Sequence, residues 1–210
     1  MNTRFPTPFF SGHHRRFPIL AVLATAALIA GCAHPLAIGP DLAKIERKVD
    51  DRQIELNVGY YMSATDKDRM VITPGGGGDT VTYAPYKDME AAFYKMLGNA
   101  FKSVTLLKSP TDAEAIQKNS ISYVISPEIS TDSSSPSPFT WPPTLFVVNL
   151  TCNIADPSGK IVVKPSVTGA GRAEFDEFKS DFSLSGKRAV IDAMMKMQGT
   201  LVGLPEFRKP

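Results

Sequence analysis

From Phe146 to Ala155 the chain alternates without a break: Phe146, Val148, Leu150, Cys152 and Ile154 fall on one side, Val147, Asn149, Thr151, Asn153 and Ala155 on the other. Successive side chains of a strand point to opposite faces, so this run reads as a strand with one face in a core. Asp156-Pro157-Ser158-Gly159-Lys160 then predicts a tight turn with a left-handed glycine. Ile161 to Val163 begins the return strand, which Pro165 bulges and which continues toward Arg172 or Phe175. A hairpin of this length must bury its apolar face beneath other elements. Cys152 lies in the apolar register and is expected as an inert core thiol.

Two amphipathic helices offer that cover. After Pro85, residues Met89, Ala92, Phe93, Met96, Leu97, Ala100 and Phe101 form one stripe at helical spacing, with Lys87, Glu90, Lys95 and Asn99 opposite. In KRAVIDAMMKMQGTLVGLPEF, Ala189, Ala193, Met194, Met197 and Leu201 mark a second buried side, ended by Gly203 and Pro205. Alternation in IELNVGYYMS predicts a strand at Ile54–Tyr60. DTVTY predicts a short edge strand, and Val104 to Leu107 another strand. A polar helical turn opens at Thr111 and ends near Asn119. ISYVISPEIS follows as a strand whose Pro127 needs a bulge or an edge. This order predicts an α+β fold, a mostly antiparallel sheet with two helices packed on one face. With 43% apolar residues the 210-residue chain can bury a core, expected as one domain over residues 54–210.

The N-terminus carries an address. Arg4, His13, His14, Arg15 and Arg16 precede a nearly pure apolar run, Phe17 to Ala30, with no acid before Cys32. The run is shorter than the roughly 20 residues that span a bilayer and suits a signal-peptide core. It ends in Ile29-Ala30-Gly31-Cys32, which resembles the bacterial lipobox. That resemblance implies cleavage between Gly31 and Cys32, a diacylglycerol on the Cys32 sulfur and a fatty acyl chain such as palmitate on its freed amine. An ordinary secretory signal or a short membrane anchor is the alternative. Residues 1–31 are thus expected as a lipoprotein signal peptide and 32–53 as a lipidated tether. A short helix after Pro40, through Leu42, Ile45 and Val49, is the other reading of part of that tether. Ala33 is not the aspartate that favours inner-membrane retention in enterobacterial sorting. The expected site is therefore the periplasmic side of the outer membrane, with the inner membrane as the alternative.

Processing changes the charge balance. Without the three arginines of residues 1–31, the 23 basic residues become 20 against 21 acids, a formal charge of −1. Nucleic acid is not an expected partner. His34 is the only histidine and Cys152 the only free thiol of the body, too few for a histidine-based triad or a histidine-rich metal cluster. Gly75 to Gly78 end in Asp79, not the Gly-Lys-Ser/Thr of a phosphate loop, and predict a mobile hairpin or loop. Asp176, Glu177 and Asp181 share a charged stretch with Lys179 and read as a solvated face. No catalytic, cofactor-binding or metal-binding residues are expected. Phe139 and Trp141 stand in a serine- and proline-rich loop over residues 131–143, either as a plug on the core or as an anchor for a partner.

The lipobox-like start, VGYYMS, GGDTVTYAPYKDMEAAFYKML, ISPEIS and ADPSGKIV together resemble envelope lipoproteins of the YajG type and auxiliary lipoproteins of ABC-type transport systems. More remotely they resemble lipopolysaccharide-assembly lipoproteins. These families imply a non-enzymatic accessory or scaffold protein, anchored to the membrane by its N-terminal lipid and bound to an envelope protein partner. A carrier of lipid or another apolar ligand, using the methionine-rich helix faces, and a hydrolytic enzyme are the other classes. Anchoring is directly testable: Cys32→Ala is expected to abolish incorporation of a fatty-acid analogue in metabolic labelling. Label retained in that variant would refute lipidation at Cys32.

Overall fold

The computed structural model describes residues 33–47 and 52–208. The apolar run, the lipobox with Gly31 and Cys32, and Val49 lie outside the described residues. In chain order the elements are β1 (His34–Pro35), β2 (Ile54–Tyr60), α1 (Ala64–Lys67), β3 (Val71–Pro74), β4 (Thr80–Tyr83), α2 (Pro85–Ala100) and β5 (Phe101–Leu106). There follow α3 (Ala113–Lys118), β6 (Tyr123–Ser134), β7 (Leu145–Ala155), β8 (Ile161–Val163), β9 (Ser166–Arg172), α4 (Phe175–Phe178) and α5 (Leu184–Gly203). The larger sheet runs β5-β2-β6-β7, with β8 and β9 both along the outer side of β7. A smaller one runs β1-β4-β3. The class is α+β. Both sheets are mixed: β1–β4 is parallel in the smaller one, and in the larger β2–β5 and β2–β6 are parallel because α2 and α3 return the chain to the starting end of the sheet.

Helices α2 and α5 close one face of the larger sheet. Every residue of the α2 stripe, from Met89 to Phe101, is fully buried. Burying each of its large side chains contributes roughly 1.5–3 kcal/mol. Pro85 sits at the helix start, where its missing N–H costs nothing, and Phe101 turns extended so that the chain enters β5 at once. The hairpin follows its pattern. Phe146, Val148, Leu150, Cys152 and Ile154 are buried, and the turn closes with Gly159 at φ 86° and the Asp156 N–H donating to the Lys160 carbonyl. Pro165 interrupts the return strand, and its carbonyl accepts from the Cys152 amide. Pro127 lies where β6 has outrun β2, so its nitrogen faces no ladder. Two residues on, the Ile129 amide donates instead to the Tyr86 hydroxyl.

One backbone-to-backbone contact was not foreseen from the sequence. A Cβ on Gly169 would fall on the backbone of Ala189 and Ala193, and one on Gly171 on that of Ser185 and Ala189. α5 therefore lies on β9 at backbone distance, with Ala189 and Ala193 as its small-residue face. The same helix covers the free edge of β9. Arg188 donates to the Arg172 carbonyl, Asp192 accepts from the Ala170 amide, and Lys196 donates to the Thr168 carbonyl. Four helical residues rise about 6.0 Å and two strand residues about 6.6 Å, so the two ladders stay in step.

Three sequence expectations are corrected. Residues 33–47, expected within a tether, are packed. β1 pairs with Val81 and Thr82, Ile38 and Ile45 are fully buried, and only Leu42–Lys44 form a 3-10 turn. Hydrogen bonds made by distant residues hold this segment. The Ala37 amide donates to Ser183 Oγ, Ile38 to Asp88, and Asn99 and Gln198 donate to the carbonyls of Ile45 and Glu46. Burial raises the Asp88 carboxyl above its ordinary value. DTVTY is not an edge, because β1 covers one side of β4 and β3 the other. The serine-proline loop begins four residues late. Thr131–Ser134 continue β6, and the hydroxyls of Thr131 and Ser133 meet Tyr83 and Thr73 in a buried seam joining the two sheets.

Two glycine substitutions with opposite signs test the α5–β9 contact. Gly171→Ala must push the helix off the strand and is expected to cost roughly 1–3 kcal/mol. Gly199→Ala, with open space around its Cβ in the same helix, is expected to stabilise by about 1 kcal/mol. At roughly 2–4 °C per kcal/mol for a domain of this size, thermal melts separate the two readily.

Candidate functional site

The described residues gather their unexplained aromatics at one end of the body. Trp141 is half-buried against the core. It stacks on His34 with ring centroids 4.2 Å apart and planes at 22°, and tilts against Phe182 at 4.9 Å. Beside it the β3–β4 turn is docked by its backbone. The Gly76 amide donates to the Trp141 carbonyl at 2.9 Å and the Gly77 amide to the Ser137 carbonyl at 3.0 Å. A side chain at Gly75 or Gly76 would strike the carbonyls of Trp141 and Thr140, so the glycines serve close approach. The glycine run is a hairpin, as expected, but one held by the 135–144 loop. His34 Nε2 lies 3.7 Å from Asp79 Oδ2.

The two aromatics singled out in the loop part company here. Trp141 is the plug. Phe139, 93% exposed, covers nothing. Phe182, 47% exposed, joins the cluster from just beyond the charged stretch that ends at Asp181. No local signal marks Phe182 or His34 as partners of Trp141, since their contacts cross the chain.

The remaining candidates are occupied by structure. Asp176 pairs with Lys179 at 2.9 Å, Asp181 with Lys187 at 2.8 Å, and Glu177 takes a two-pronged bond from Arg188 at 2.7 and 3.0 Å. That guanidinium lowers the Glu177 carboxyl to about 2, so it is ionised at neutral pH and unsuited to donate a proton. Cys152 is fully buried, and burial pushes its thiol well above the ordinary value, against nucleophilic use. Met89, Met96, Met194 and Met197 are also fully buried, so the methionines that would line a carrier's groove are core. The opposite face of the larger sheet is polar, with Asn149, Ser130, Thr168, Thr151 and Ser166 bonded across strands. Asp66, Arg69, Glu128 and Asn153 help line an open groove of about 510 Å³ there. Among the described residues no helix is long and apolar enough to cross a membrane.

No protein-family model matches the chain, and no curated protein does. Solved structures that resemble it include a Xanthomonas campestris protein of the DUF330 family, 11% identical, with a TM-score of 0.49 over 84% of this chain and 97% of that one. A minor lipoprotein from Acinetobacter baumannii is 11% identical, with a TM-score of 0.40 over 71% and 94% of the two chains. The PelC dodecamer from Paraburkholderia phytofirmans is 14% identical, with a TM-score of 0.41 over 72% and 90%. Likeness at this level carries neither kinship nor activity to this chain.

Trp141→Ala is expected to destabilise by about 2 kcal/mol, half the ~4 typical of a fully buried tryptophan. Phe139→Ala is expected to change stability by less than about 0.5 kcal/mol, as an exposed site should. Thermal melts of the two variants check both, and equal losses would overturn the division of roles.

Proposed function

We propose that the chain is a non-enzymatic lipoprotein, held by acylated Cys32 on the periplasmic side of the outer membrane. There it serves as an accessory or scaffold in an envelope assembly or transport complex. One observation carries the proposal: the Arg-rich start and the apolar run end in Ile29-Ala30-Gly31-Cys32, immediately before a packed body. The body's chemistry supports the non-enzymatic part. Its candidate carboxylates are tied to lysines and an arginine, and its thiol is core. Surfaces suited to a protein partner remain. They are the polar face of the larger sheet and the outer edge of β5, where Leu106 is exposed.

The test is purification of the full-length protein after gentle detergent extraction from its native membrane. A recurring protein partner at fixed stoichiometry is the expected result. Stoichiometric lipid or another apolar ligand without a protein partner would replace the scaffold by a carrier.

A further inference from the structure

We infer that the end of the body bearing His34, Trp141 and Phe182 rests on the lipid bilayer, with Phe139 inserted at the interface beside the acyl chains of Cys32. The inference rests on the lipoprotein proposal and assigns the surface that meets the membrane. Its basis is the absence of slack. Cys32 stands two residues before His34, a reach of at most about 7 Å. His34 already belongs to β1, paired with Val81. The next residues are fastened in turn: Leu36 to the Thr82 carbonyl, Ala37 to Ser183, Ile38 to Asp88. A lipid on Cys32 therefore enters the bilayer within about one strand spacing or two of this surface.

The chemistry of that surface suits an interface. Phe139 projects almost wholly into solvent, Phe182 is half-exposed, and Trp141 lies between Phe182 and His34. Aromatic rings favour the headgroup level, and apolar groups gain by leaving water there. Residues 133–144 carry no charge, so the loop approaches headgroups without stripping water from an ion. Of the acids at this end, Asp181 is paired with Lys187, and Asp79 Oδ2 lies 3.7 Å from His34 Nε2. β7 leads away from this end for 11 residues, roughly 35 Å, to the Asp156–Lys160 turn. That far end, with Ile161 exposed beside it, is then the part most remote from the membrane.

Acyl chains hold the protein on vesicles whatever Phe139 does, so insertion, not affinity, is the measurement. Acylated full-length protein with Phe139→Cys or Ile161→Cys is labelled with a nitrobenzoxadiazole fluorophore. Cys152 is buried and the Cys32 sulfur blocked by lipid, so the new thiol takes the label. In phosphatidylethanolamine–phosphatidylglycerol vesicles, the label at 139 is expected to shift to the blue and be quenched by nitroxides on the acyl chains. The label at 161 is expected to show neither. Mass spectrometry of the N-terminal fragment reports acylation separately. Acylated protein whose 139 label stays unquenched, or whose two labels are quenched alike, overturns the docking and leaves the lipoprotein proposal standing. Protein purified without acyl chains overturns both.

Discussion

The fold depends on helix α5 lying on strand β9 at backbone distance. Glycine at 169 and 171 and alanine at 189 and 193 permit it, and any larger residue at those glycines meets helix backbone. Close packing brings the long side chains flanking the contact over the edge of β9. There Arg188, Asp192 and Lys196 satisfy carbonyls and an amide that would otherwise offer a template for another strand. Arg188 also grips Glu177, so the short α4 is tied to the same row. One helix thus covers β7 and β9, seals an edge and orders the turn before it.

The same helix makes the N-terminal segment part of the body. Gly186 leaves the space that Ile38 fills, Ser183 takes the Ala37 amide, and Gln198 with Asn99 takes the carbonyls of Ile45 and Glu46. Buried amides and carbonyls cost about 1–3 kcal/mol when unpaired, so these bonds decide whether residues 33–47 pack or trail. A second polar seam, Tyr83 with Thr73 and Thr131, and Thr73 with Ser133, fastens the small sheet to the end of β6. Burial raises the Tyr83 phenol above its usual value, so it remains a hydroxyl donor throughout the ordinary pH range. Both seams put the N-terminal end, the glycine turn and Trp141 in one place.

That convergence shapes the functional reading. A lipoprotein with a long tether samples many orientations, whereas under the proposed acylation of Cys32 this body, packed from Ala33 onward, would have one end committed to the membrane. The polar sheet face and the β5 edge stay uncovered among the described residues, and the methionines of the helices behind the sheet are core.

Local pattern determined much of this protein. The alternation at Phe146–Ile154, the stripe at Met89–Phe101 and the Asp156–Lys160 turn each obey a short-range rule, so the α+β class, the hairpin and both long helices were legible in the sequence. So was the burial of Cys152, while the proposed lipidation at Ile29–Cys32 rests on the sequence alone. What the sequence could not show depended on contacts between residues far apart in the chain. Ile38 is core because Gly186 makes room for it. DTVTY became a central strand because His34 arrived beside it, and Thr131–Ser134 stayed extended because Tyr83 and Thr73 met their hydroxyls. Trp141 and Phe139, alike in composition and setting, were separated only when His34 and Phe182 closed on one and nothing covered the other. Periodicity reports which face of an element is buried, but the partner that buries it is chosen by packing in three dimensions.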